Sequence, residues 1–83
     1  MAKQRKKKRT ETEYRSEITK LGKRIRALRL ERGYTSAMKF AYDNDLSSVQ
    51  MVRWEQGRNI TFETQMKLAD AFGITVAELL RGF

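Results

Sequence analysis

Between Ala37 and Gly57 the chain carries two short segments of helical apolar spacing, separated only by Asp45-Leu46-Ser47. A corner that short forces two helices to cross steeply and to pack on each other. The Ser36 hydroxyl is placed to cap the first helix, which runs to about Asn44 and turns Phe40 and Ala41 inward. Ala41 has to be small, because a larger side chain would push the pair apart. Leu46 plugs the corner, and Ser47 caps the second helix, which ends near Gln56 before Gly57. Met51 and Trp54, three apart, share its buried face, so Trp54 is read as core and not as a platform for a base. The other face offers Ser48, Val49, Val52 and Arg53, with Gln50 at its edge. Two free valines and one arginine among small polar groups are unlike an ordinary solvated face.

The flanking sequence is helical too. Thr10 and Glu13 have capping-box spacing. Tyr14, Ile18, Leu21, Ile25 and Leu28 then form one apolar stripe, closed by Gly33. Gly22 weakens the middle of this helix and leaves a start nearer Ser16 as an alternative. Thr61 caps a helix bearing Met66, Leu68, Ala69 and Phe72, which Gly73 ends. Thr75 and Glu78 form a second capping box before Val76, Leu79 and Leu80. There is no proline, no hairpin signal and no internal repeat. The expected fold is all-α, with five helices at about 11–32, 37–44, 48–56, 62–72 and 76–81 in one domain over 11–83. Residues 1–10 have no apolar anchor and are expected to form a disordered basic arm.

Charge points to a partner. The 83 residues carry a net +8, and Lys3, Arg5, Lys6, Lys7, Lys8 and Arg9 supply six of those charges with no acid among residues 1–10. Such a balance implies a polyanion. A membrane surface is disfavoured because no apolar face or lipidation signal adjoins the basic run. The arm is read as binding a nucleic-acid backbone, with an RNA- or membrane-binding patch or a plain solubilising run as the alternatives. The basic start is followed by Thr10, Glu11 and Glu13, so it is no signal peptide, and no stretch reaches membrane-spanning length. The chain starts at Met1 and is expected to be complete, without a ligand-sensing domain. With no cysteine or histidine, thiolate sites and the commonest general bases are excluded. Asp43 and Asp45 lack further oxygen donors at set spacing, so no metal and no cofactor is expected. Asn59-Ile60-Thr61 fits a glycosylation acceptor by chance. An enzyme has no supporting residue.

Ala41, Asp45, Leu46, Met51 and Trp54, closed by Trp54-Glu55-Gln56-Gly57, resemble the helix-turn-helix of the Cro and phage-repressor (XRE-type) family. Leu21-Gly22-Lys23-Arg24-Ile25-Arg26-Ala27-Leu28-Arg29 resembles that family's opening, and Leu68 to Leu80 its close. The likeness covers about residues 20–81. Three departures stand out: Ala37 where the family usually has glutamine, Asp45 at the corner glycine, and a Gly33–Ser36 loop one residue longer.

The resemblance implies a five-helix repressor-like bundle that docks the N-terminal half of its second motif helix in the major groove. Ser48, Val49, Gln50, Val52 and Arg53 would read bases: the valines on thymine methyls, Arg53 on guanine and Gln50 on adenine. Ser36, Ser47, Gln56, Arg58 and Asn59 would contact phosphates. Glu55 would turn back to Arg29 in a structural pair. The implied partner is double-stranded DNA, bound by a homodimer through the C-terminal end at Leu80 and Phe83, in a bacterial or phage-type cytoplasm. The reading is a sequence-specific transcriptional regulator, a repressor. An antitoxin bound to its toxin, or a protein- or RNA-interaction adaptor, remains as an alternative on the same fold.

Overall fold

Each described helix begins on a hydroxyl. The computed structural model describes residues 9–81, which contain five helices: α1 (Glu11–Glu31), α2 (Ala37–Asp43), α3 (Ser48–Glu55), α4 (Phe62–Phe72) and α5 (Val76–Leu79). The fold is the all-α architecture anticipated above, with no strand among the described residues. Thr10, Ser36, Ser47, Thr61 and Thr75 each accept the backbone N–H three residues on, a donor left without an intrahelical partner. Glu13 and Glu78 accept from the cap backbones in return. Residues 1–8, with Lys3, Arg5, Lys6, Lys7 and Lys8, and residues 82–83, with Phe83, lie outside the described residues. No described helix is long and apolar enough to cross a membrane.

The core is drawn from all five helices. Leu21, Ile25 and Leu28 of α1 meet Phe40 and Ala41, Met51 and Trp54, Leu68 and Phe72, and Leu79. Phe40 is sandwiched: Tyr34 meets it edge-on at 5.2 Å and Phe72 stacks on it at 4.9 Å between centroids. Burying each of these large side chains contributes about 1.5–3 kcal/mol. α3 lies between α2 and α1. At the corner Asp45 takes φ +56°, and the Leu46 N–H donates to the Ala41 carbonyl at 2.8 Å. Leu46 is half-buried against the core.

α1 starts at Glu11, within the expected span of about 11–32 and not at the alternative start near Ser16, and runs unbroken through Gly22. Its stripe is buried only from Leu21 onward, while Tyr14 and Ile18 stay nearly half exposed because the first turns project beyond the other helices. The mid-helix glycine has a tertiary reason. A Cβ at Gly22 would stand 2.6 Å from the Gly57 nitrogen and 2.7 Å from the Glu55 carbonyl oxygen. Gly57 reciprocates, with the Thr19 Cα 2.9 Å from its own missing Cβ. Two glycines thus let the end of α3 lie directly on the α1 backbone.

Arginines close the bundle. Arg24 donates to the Leu79 and Glu78 carbonyls at 3.2 and 3.0 Å, and Arg32 to the Phe72 carbonyl at 2.8 Å. They cap the carbonyl ends of α5 and α4, the Glu78 carbonyl accepting the Arg81 N–H as well. Gly22→Ala is expected to destabilise the protein by about 1–3 kcal/mol through overpacking, although alanine is the better helix former by about 1 kcal/mol. Chemical denaturation with a two-state fit measures it; an unchanged or raised midpoint would refute the close-packing account.

Candidate nucleic-acid interface

α3 is anchored on one side and free on the other. Met51 and Trp54 hold it in the core, with Met51 fully buried. At its last turn Glu55 accepts two hydrogen bonds from Arg29, Nε to Oε2 at 2.6 Å and Nη2 to Oε1 at 2.9 Å. The remaining Nη1 of Arg29 donates to the Tyr34 carbonyl at 2.8 Å. The side chains are only 5% and 11% exposed, so the pair is desolvated and planar hydrogen bonding carries it. Those bonds to Glu55 hold the Arg29 guanidinium above its usual range, against the opposing effect of burial. One buried guanidinium therefore ties α1, the end of α3 and the loop before α2.

The free side presents Val49, 63% exposed, Val52, 41% exposed, and the exposed Arg53. Ser48 is half-buried, its Oγ 3.5 Å from the Met38 carbonyl of α2. Ser36 and Ser47 are exposed, and each hydroxyl oxygen already accepts a backbone N–H, from Lys39 at 3.1 Å and from Gln50 at 3.2 Å. Their own hydrogens remain to donate to an anion. Gln56, Arg58 and Asn59 follow, all exposed. Their loop is shaped by Gly57 at φ +79° and Asn59 at φ +57°, and by the Arg58 N–H donating to the Arg53 carbonyl at 2.9 Å. Hydroxyl donors, a guanidinium fork and free methyl groups thus lie along the outer side of α3 and its two flanking turns.

Gln50 stands apart from this face. It lines an open groove between the α2–α3 corner and α4, with Asp45, Trp54, Thr64 and Asp70 among its neighbours. Its Oε1 is buried, with no hydrogen-bond partner among the described residues. Arg9 also departs from a freely extending arm. It pairs with Glu17 at 3.3 Å and lies over the Tyr14 ring at 5.3 Å.

α2 is steadied by a polar cluster that spacing alone did not reveal. Lys39 Nζ donates to both Asp43 carboxylate oxygens at 3.0 and 3.2 Å, and the Tyr34 hydroxyl donates to Oδ2 at 3.0 Å. The Lys39 bond first, then the Tyr34 bond, holds the Asp43 carboxyl below the usual carboxylate range. The (i, i+4) spacing of Lys39 and Asp43 is a legible signal. Tyr34, the Gly22–Gly57 approach and the carbonyl partners of Arg24 and Arg32 have none.

A family model of Cro/C1-type helix-turn-helix DNA-binding domains matches residues 24–81, well over half of the chain. No curated protein and no solved structure matches it.

Arg29→Ala is expected to cost about 3–5 kcal/mol in denaturant unfolding, since it strands the Glu55 carboxylate. The double change Arg29→Met with Glu55→Leu should cost less than Arg29→Ala alone. The reverse order would mean that the ion pair itself, and not the orphaned charge, sets the loss. Asp43 gives a pH test. Its folded carboxyl titrates below the unfolded one, so its contribution is fully present above the unfolded pKa and is lost as pH falls through the folded pKa. In an NMR titration Tyr34→Phe should move the Asp43 midpoint upward. An unmoved midpoint would show that the phenol does not share the proton balance.

Proposed function

The chain belongs to the Cro/C1-type helix-turn-helix family of DNA-binding domains, and on that premise we propose that it is a sequence-specific transcriptional regulator acting as a repressor. The observation that carries this reading is the outer face of α3. Val49, Val52 and Arg53 stand free of the core on a helix whose opposite side is fixed by Met51, Trp54 and the Arg29–Glu55 pair. Exposed valines have no structural use there, and methyl groups are what thymine C5-methyls pack against.

The N-terminal half of α3 enters the major groove. Ser48, Val49 and Val52 contact base edges and methyls, and Arg53 donates its fork to guanine O6 and N7, a pairing worth about 1–3 kcal/mol of discrimination. The Ser36 and Ser47 hydroxyls, Gln56, Arg58 and Asn59 grip phosphates on either side and set the register. Gln50 takes a lesser part than its place on α3 suggests, because it lines the groove against α4 and its Oε1 is buried. The arm from Lys3 to Lys8 adds salt-sensitive affinity without specificity, each phosphate neutralised steepening the salt slope by about 0.9. The protein acts without catalysis, in a cytoplasm of bacterial or phage type, by occupying its operator. A homodimer on paired half-sites fits this mode. At the suggested C-terminal contact, Leu80 packs partly against the protein's own core.

Selection from random duplexes at physiological salt tests the reading. The winning site should exceed a scrambled one in affinity by about a thousandfold or more. Arg53→Ala should lower binding to the winner about tenfold or more while leaving the scrambled site unchanged. Equal affinities with a steep salt slope would overturn sequence-specific regulation and leave an antitoxin or adaptor role, read by co-purification of a protein or RNA.

A further inference from the structure

We propose that one side of α1, ahead of the matched family region, is a second phosphate-binding surface on which Arg15 grips the DNA backbone next to the α3–α4 loop. The proposal rests on the DNA-binding reading above. It adds a site on residues 12–23, before the family match begins at residue 24. Gly57 locates this side. The Thr19 Cα and the Ile18 carbonyl oxygen stand 2.9 and 3.0 Å from the position of its missing Cβ. Its nitrogen stands 2.6 Å from the corresponding position of Gly22. Arg15, Ile18, Thr19 and Gly22 have the i, i+3, i+4, i+7 spacing of four residues around one hole in a helix surface. The turn that presents Arg58 and Asn59 is therefore seated in a hole whose corner toward the start of α1 is Arg15.

The chemistry on this side is that of an anion site and not of an ordinary solvated helix. Thr12, Arg15, Ser16, Thr19 and Lys23 line one open side of α1, with Lys20 and Glu11 at its rim. A typical surface helix pairs opposite charges four apart. Here Glu13 and Glu17 lie two residues to either side of Arg15, and so nearly opposite it round the helix. Glu17 is taken up by Lys20 at 3.1 Å and Arg9 at 3.3 Å. Glu11 stands four before Arg15 and forms no ion pair with it. Among the described residues Arg15, Lys23 and Arg58 have no carboxylate partner. Arg15 and Arg58 are both exposed and start from adjoining backbone. Like charges so placed are destabilising on their own, and a phosphate between them turns the repulsion into a clamp. The Thr19 hydroxyl is spent on the Arg15 carbonyl at 2.9 Å, while those of the exposed Thr12 and Ser16 can donate beside it. Arg15 and Lys23 lie about 12 Å apart along the helix, so they take separate phosphates.

Fluorescence anisotropy of the full chain on the selected duplex and on a scrambled one, from about 50 to about 300 mM salt, tests this. Arg15→Gln should weaken binding to both duplexes by the same factor, about fivefold at physiological salt. It should also lower the slope of log K against log salt by about 0.9, and Arg15→Gln with Lys23→Gln by about 1.8. Lys20→Gln removes an equal charge from the same helix where Glu17 already holds it, and should move the slope by less than about 0.3. An unchanged slope in Arg15→Gln would overturn the proposal. Equal losses from Arg15→Gln and Lys20→Gln would do the same, leaving net charge as the whole effect. A loss confined to the selected duplex would also overturn it, by making Arg15 a base contact. The scrambled duplex alone suffices for the slope, so the site can fail while sequence-specific binding stands, and can stand where specificity fails. A wild type that binds neither duplex would overturn both.

Discussion

The buried pair of Arg29 and Glu55 is the constraint on which the rest of this bundle turns. α3 is only eight residues long and leaves one side to solvent, so its two core side chains alone would fix its depth better than its angle. The bidentate contact at 2.6 and 2.9 Å fixes the angle by holding its last turn to α1. The third donor of the same guanidinium, on the Tyr34 carbonyl, holds the loop that leads into α2. A planar group with five donors in a rigid fork suits this junction; a lysine could not hold three acceptors on two elements in that plane. Desolvating both charges is costly, and the return is orientation more than net stability.

Close approach of backbones completes the junction. Gly22 and Gly57 remove the two side-chain stubs that would separate α1 from the end of α3. The loop leaving α3 therefore starts from a defined place, and Arg58 and Asn59 are presented from it with left-handed φ at Gly57 and Asn59. The outer face of α3 and the flanking hydroxyl caps inherit their relative positions from these contacts. The free valines and Arg53 need no partner within the protein for their placement.

Basic residues in this chain do two kinds of work. Arg24, Arg29 and Arg32 are spent on carbonyl ends and on the carboxylate of Glu55. Arg53 and Arg58 lie exposed around α3. A count of charge overstates the surface offered to a polyanion, because a guanidinium bound to a carbonyl still contributes its full charge to the sum while its donors are occupied. Fewer guanidinium donors are thus free to grip a phosphate than the composition suggests, while the bound arginines still add their charge to the field.

Local chemistry determined much of this protein from the sequence alone. Hydroxyl caps and their (i, i+3) glutamates mark helix starts, because the unpaired N–H groups they satisfy lie within three residues. The three-residue corner and the Met51–Trp54 spacing separate the inner from the outer side of α3, because a helix repeats over so short a range that neighbours decide its faces. Apart from the Arg29–Glu55 pair, which the family resemblance implied, contacts between distant residues were decided only by the tertiary structure. Gly22 reads as a weak point in a helix until Gly57 is seen against it. The Tyr14–Ile18 stripe reads as core until α1 is seen to outrun its neighbours. Gln50 reads as the edge of the outer face, and only the tertiary structure shows it beside the groove against α4 with its Oε1 buried. In each case the deciding contact joins residues from different elements, and spacing along one helix carries no information about what packs against it.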